Sequence, residues 1–254
     1  SFEDVWEQIT QSSYFLSKEK KATFKKHWDS RLNSEYARNS FIHGRKSVNP
    51  EESIAHYRKA ISYDASNEQA HNNLGGRLNQ IGKHKEAISH YQMAIKLNSE
   101  YAEAHSNLGN ALLAIGETIE AISHHKTAVK LSPEFVLAHY NLGSALQQTG
   151  STSKAIFHFQ RALQLNPDFY EAHNNLGISL LQEQKYEQAI SHFQRAIQLK
   201  PDFYDAYNNL GFALSREQKY KEAISHFQKA IKLNPDLAIL QRNLEKAISK
   251  LANQ

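Results

Sequence analysis

The chain has 254 residues, 40% of them hydrophobic and 22% charged, a composition that suits a folded domain and excludes a disordered one. It carries no cysteine, which excludes disulfide staples, thiolate metal sites and a cysteine nucleophile, and is compatible with a reducing, cytoplasmic compartment. The net charge is +4, and no run approaches the roughly 18 apolar residues of a membrane span or the layout of a secretory signal.

The chain opens at Ser1 without a methionine and is read as a piece of a longer protein, so the missing targeting segment says little about compartment. Within residues 1–33, Phe2, Val5, Trp6 and Ile9 predict one amphipathic helix and Phe24, Trp28 and Leu32 a second, together an N-terminal helical cap or extension. The basic excess is local: residues 18–59 hold eleven Lys or Arg against five Asp or Glu. A solvated helix face is the preferred reading of that excess, which argues against nucleic acid or acidic lipid as the partner.

From residue 34 the sequence repeats itself. Asn-Leu-Gly begins at Asn73, Asn107, Asn141, Asn175 and Asn209, each 34 residues after the last. Alanines keep the same step at Ala87, Ala121, Ala155, Ala189 and Ala223, and prolines at Pro133, Pro167, Pro201 and Pro235. The units run 68–101, 102–135, 136–169, 170–203 and 204–237, preceded by a degenerate unit, 34–67. That unit keeps Asn39, Tyr57, Ala60 and Tyr63 in phase but has Ser40 and Phe41 in place of Leu-Gly, and Pro50 is expected to open its second helix. Residues 238–254 repeat a first helix only, with Leu244 in phase, and are expected to cap the array.

Each unit reads as two helices. In the unit from Ala102, Ala104, Leu108, Ala111 and Ile115 form one helical stripe, which Gly116 ends. Ala121, Ile122, His125, Ala128 and Leu131 form a second stripe, and Pro133 stops it. One such hairpin cannot bury its own apolar face, whereas stacked copies can. The fold expected is all-α, a solenoid of antiparallel helix pairs.

These units resemble the tetratricopeptide repeat, a family whose 34-residue unit carries Leu-Gly, a large residue three later, two alanines, an aromatic and a proline. The unit from Tyr204 supplies Leu210, Gly211, Leu214, Ala223, Phe227, Ala230 and Pro235. Two departures stand out: the family's first-helix tryptophan is replaced by His71, His105, His139, His173 and Tyr207, and its second-helix aromatic is His125 in one unit. The resemblance implies a right-handed superhelix whose first helices line a concave groove that binds protein partners.

The in-phase asparagines are the most informative residues on that face. Asn39, Asn73, Asn107, Asn141, Asn175 and Asn209 recur together with Asn243 in the cap, although asparagine is roughly 0.7 kcal/mol worse than alanine inside a helix. An amide donates and accepts, so a row of them is expected to hold an extended guest by its backbone, whatever the guest's sequence. The row is similar to the asparagine ladder in the superhelix of O-linked N-acetylglucosamine transferases, which threads protein substrates. Bonding between helices and shared ancestry are the competing explanations. Glu103, Glu171 and Asp205, then Asn110, Ile178 and Phe212, share the same face and are expected to select neutral to basic segments with an apolar side chain near Phe212.

Two other patterns carry no site on this reading. The histidines form two ladders, His71, His105, His139 and His173, and His56, His90, His124, His158, His192 and His226, whose members stand a full repeat apart. Such spacing is too wide for one zinc with ligands at about 2.0–2.1 Å, so aromatic-like packing with one hydrogen bond each is expected, and no metal. Ser-His pairs such as Ser123-His124 diverge by about 100° on a helix and cannot form a nucleophile–base bond. The function expected is therefore a non-catalytic scaffold or adaptor that binds an extended peptide or protein segment through the asparagine ladder, without a cofactor. Its alternatives are the substrate-recognition arm of a larger enzyme such as a glycosyltransferase, and a scaffold that associates with itself.

Overall fold

The computed structural model describes residues 18–253, which form thirteen α-helices and no strand. They are α1 (Lys18–Lys46), α2 (Pro50–Tyr63), α3 (Glu68–Gln80), α4 (His84–Leu97), α5 (Ala102–Ala114), α6 (Thr118–Leu131), α7 (Val136–Gln148), α8 (Thr152–Leu165), α9 (Tyr170–Gln182), α10 (Tyr186–Leu199), α11 (Tyr204–Arg216), α12 (Tyr220–Leu233) and α13 (Ala238–Ala252). None of the described helices is long and apolar enough to cross a membrane. The helices fall into two compact units, Ser1–Ser99 and Glu100–Gln254.

In the first unit, α1 packs against α2 and α3 against α4. The boundary expected at residue 33 falls inside α1, which runs unbroken through it, because residues 29–39 contain no glycine or proline to end a helix. The stretch holding Trp28 and Leu32 is thus continuous with the first helix of the degenerate unit, where Ala37, Ser40 and Gly44 are buried. Phe2, Val5, Trp6 and Ile9 lie outside the described residues. Pro50 does open the second helix: it sits at the first helical position, and the Asn49 side chain caps it by accepting from the Glu51 N–H at 2.8 Å.

The second unit stacks four hairpins, α5–α6, α7–α8, α9–α10 and α11–α12, closed by α13. Successive first helices (α5, α7, α9, α11, α13) touch one another directly, while each second helix packs onward chiefly on the next first helix. The first-helix side is therefore the tighter side of the stack, as a curved solenoid requires of its inner face.

The Leu-Gly motif explains how each hairpin closes. The leucines Leu108, Leu142, Leu176 and Leu210 are buried, and each following glycine lies under an aromatic or histidine ring of the second helix. A Cβ on Gly177 would stand 2.6 Å from Phe193 Cε1, and Phe193 is itself fully buried with no room to retreat. Overpacking of this kind costs about 1–3 kcal/mol, against the about 1 kcal/mol that alanine gains over glycine in a helix. Gly177→Ala is therefore expected to lower the urea midpoint; a midpoint at or above that of the parent would contradict the close approach.

The first helices end alike. The N–H of Lys185 reaches back to the Leu180 carbonyl at 2.9 Å, as Lys83 does to Leu78, Glu117 to Leu112, Ser151 to Leu146 and Lys219 to Leu214. The residue before each takes a left-handed conformation, filled by Gly82, Gly116 and Gly150 and then by Gln184 (φ 59°) and Gln218 (φ 61°).

Candidate functional site

The in-phase asparagines of the second unit lie half-buried on the first helices, and four of their amides bond to neighbouring protein. Asn141 Nδ2 donates to Ser106 Oγ at 3.1 Å, Asn175 Nδ2 to the Tyr140 hydroxyl at 3.1 Å, Asn209 Nδ2 to Asn174 Oδ1 at 2.9 Å and Asn243 Nδ2 to Asn208 Oδ1 at 2.9 Å. The acceptor always stands 35 positions earlier, one residue before the preceding in-phase asparagine. One N–H of each of these four amides is thus committed between helices, the alternative that competed with guest binding. Asn175 Oδ1 in addition accepts from Asn174 Nδ2 at 3.3 Å. In the first unit, Asn39 is exposed on α1 and Asn73, half-buried on α3, hydrogen-bonds the Tyr57 hydroxyl. Asn107 and Asn110 are half-buried on α5.

Three of the expected residues converge. Ile178 and Leu181 on α9 and Phe212 on α11 line a pocket of about 410 Å³, whose polar rim is Gln182, Asn208 and Asn209. Phe212 remains 42% exposed. A second pocket of about 480 Å³ begins on the other side of Phe212 and is lined by Arg216, Tyr220, Asn243, Lys246 and Lys250 among others. The Arg216 guanidinium lies 5.0 Å from the centre of the Phe212 ring. Neither pocket includes Glu103, Glu171 or Asp205. Those acids sit in the first turns of α5, α9 and α11. Glu103 is exposed and Asp205 half-buried, and burial pushes the Asp205 carboxyl up from its usual range.

Sequence reasoning missed Lys246 and Lys250, although their position was readable. They follow Asn243 by three and seven residues, as Phe212 and Arg216 follow Asn209, so all four stand on one face of their helices.

The histidine ladders also meet each other. Nδ1 of His71 lies 3.1 Å from Nδ1 of His90, and the same atoms pair at 3.0 Å in His105–His124, 3.1 Å in His139–His158 and 3.0 Å in His173–His192. The next position is a stacked Tyr207–His226 pair. In two pairs the tautomer follows from a further bond: His139 and His173 place Nε2 3.1 and 3.0 Å from the Pro133 and Pro167 carbonyls, so Nε2–H donates there and Nδ1 accepts from the partner ring. The partners stand 19 residues apart in sequence, on the two helices of one hairpin. Among the described residues no three His, Cys, Asp or Glu side chains form a metal-sized group.

Comparison with known proteins agrees with this architecture. Tetratricopeptide repeat models match residues 77–116, 109–150 and 179–218 in one form, 136–169 and 204–237 in a second and 158–191 in a third; a Sel1 repeat model matches 41–62. No curated protein matches the chain. Among solved structures, YrrB, described as a TPR protein with an unusual peptide-binding site, is 25% identical, with 73% of this chain and 96% of that one covered and a TM-score of 0.62. MamA is 29% identical over 65% of this chain and 96% of its own, with a TM-score of 0.59. The Pseudomonas aeruginosa protein pilF shares the fold at a TM-score of 0.74, with 20% identity and 86% and 99% of the two chains covered. With helix pairs that begin 34 residues apart at 68, 102, 136, 170 and 204 and repeat models that run without a break from residue 77 to residue 237, this chain belongs to the tetratricopeptide repeat family.

Proposed function

We propose that this protein–protein interaction scaffold holds an extended segment of a partner along the first-helix face of its second unit. The observation that carries the reading is the convergence of Ile178, Asn209 and Phe212 on one pocket: an apolar floor that accepts a side chain, with amides at its rim that can pair with a peptide backbone. The row continues across Asn107, Asn141 and Asn175, so the same backbone contact can recur once per repeat. Glu103, Glu171 and Asp205 at the helix starts favour neutral or basic residues in the part of the guest that passes them. The likeness to YrrB, with its peptide-binding site, supports this role. The role is non-catalytic and uses no cofactor.

The test is fluorescence anisotropy with labelled peptides that carry a single leucine, against the chain and its Asn175→Ala, Asn209→Ala double variant. Affinity is expected to fall about tenfold or more, the loss of roughly one to two net hydrogen bonds, with helicity retained. Asn174→Ala removes the acceptor that Asn209 now uses but leaves Asn209 itself, and is expected to bind at least as well as the parent. Equal affinity of the parent and the double variant would refute the proposal.

A further inference from the structure

Phe212 separates two pockets of opposite character. On one side stand Ile178, Leu181 and the ring itself, with only amides among the polar groups. On the other stand Arg216, Lys246 and Lys250, with no carboxylate in the lining among the described residues. None of these three cations forms an ion pair with a described carboxylate. Three unpaired cations around one open hollow repel each other, and the repulsion is relieved when an anion enters. Arg216 gives up only part of its charge to the Phe212 ring face, and it keeps its planar set of N–H donors for a carboxylate.

The acids of the same face do not neutralise this hollow. Asp205 and Arg216 are eleven residues apart on α11, roughly 16 Å at 1.5 Å per residue, beyond a Debye length of about 8 Å at physiological ionic strength. The helix starts and the helix ends therefore act on a guest independently, one attracting basic groups and the other acidic ones. The apolar pocket lies against the acid-attracting hollow, and the two share Phe212.

Resting on the groove reading above, we infer that the end of the stack formed by α9, α11 and α13 recognises a partner segment in which an apolar side chain is immediately flanked by acidic residues. The apolar side chain fills the Ile178–Leu181–Phe212 pocket, and a neighbouring carboxylate meets Arg216, Lys246 and Lys250. Asn243, on the wall of the second hollow, is placed to hold the backbone between them. The guest therefore differs along its own length: neutral or basic where it passes the helix starts, acidic next to its anchor.

The experiment compares three short synthetic peptides of one length: a leucine flanked by aspartates, the same leucine flanked by lysines, and the aspartate peptide with serine in place of leucine. Binding of the first is expected to be about tenfold or more tighter than either of the others at low salt, and the preference for aspartate is expected to shrink as salt is raised. Lys246→Glu with Lys250→Glu, both on the exposed face of α13, is expected to reverse the preference between the aspartate and lysine peptides. Phe212→Ala is expected to abolish the advantage of leucine over serine. If the aspartate and lysine peptides bind equally, or lysine binds better, while binding still depends on Asn209, this inference fails and the groove reading stands. If no peptide binds, both fall.

Discussion

His125→Phe is expected to stabilise the protein by about 2 kcal/mol. His125 occupies the second-helix position held elsewhere in the second unit by Phe159, Phe193 and Phe227, with its ring over Gly109, and it is 0% exposed. Neither ring nitrogen has a hydrogen-bond partner. A neutral imidazole always keeps one N–H donor and one bare acceptor, and burying such a group unpaired costs about 1–3 kcal/mol. Phenylalanine has nearly the same outline, removes both polar atoms and occupies the same environment three times in this chain. Urea denaturation of the two proteins side by side measures the difference, and an unchanged midpoint would mean that His125 is satisfied in solution. A gain of this size from one substitution would be large, because most surface changes stay within about 0.5 kcal/mol.

The second large effect is on acid stability. Burial lowers the pKa of His71, His90, His124, His139, His173 and His226, and drives His125, His158 and His192 down to about 4. For a base depressed in the folded state, the unfolded chain takes up the proton first. Stability is therefore full above the unfolded value of about 6.5 and is lost as pH falls toward 4, where the folded state begins to protonate as well. His125 alone contributes on the order of 3 kcal/mol across that window. The paired rings add a geometric reason. At 3.0–3.1 Å there is room for one hydrogen between two Nδ1 atoms, so a pair tolerates one extra proton at an outer nitrogen but not a second. Charged neighbours act on the pairs from both sides: Glu86 and Glu120 favour protonation of His90 and His124, while Lys126, Arg161 and Arg195 oppose it at His158, His139 and His173. Thermal unfolding followed by circular dichroism is expected to show a flat melting temperature above pH 7 and a steep fall between pH 6.5 and 4. A melting temperature constant from pH 7 to 5 would contradict this. His125→Phe is expected to flatten part of the slope.

The repeat register and the helix pairs were legible because they depend on local chemistry repeated at a fixed step. Leu-Gly, the buried alanines and the turn prolines each act within a few residues of themselves. The N-terminal boundary was not legible, since phase with the repeat cannot show where a helix begins when no breaker interrupts it, as in residues 29–39. Asn39, Asn73, Asn107, Asn141, Asn175 and Asn209 were legible as a row, but their partners were not. Asn141, Asn175, Asn209 and Asn243 bond in turn to Ser106, Tyr140, Asn174 and Asn208, acceptors of three residue types, so no single residue type announces the bond. Ile178 and Phe212 could be placed on the right face from their spacing, whereas the depth between them depends on how two helices approach, which spacing alone does not encode.

The chain of bonds from Asn209 through Asn174 and Asn175 to Tyr140 has a thermodynamic consequence. In a linear array, the free energy of each unit and the coupling between nearest neighbours separately decide whether the whole melts at once or frays from its ends. These amides belong to the coupling: they tie unit to unit and add little to any unit alone. Losing one of these amides would therefore weaken the link between neighbouring hairpins, so that the array frays from its ends before it melts as one body.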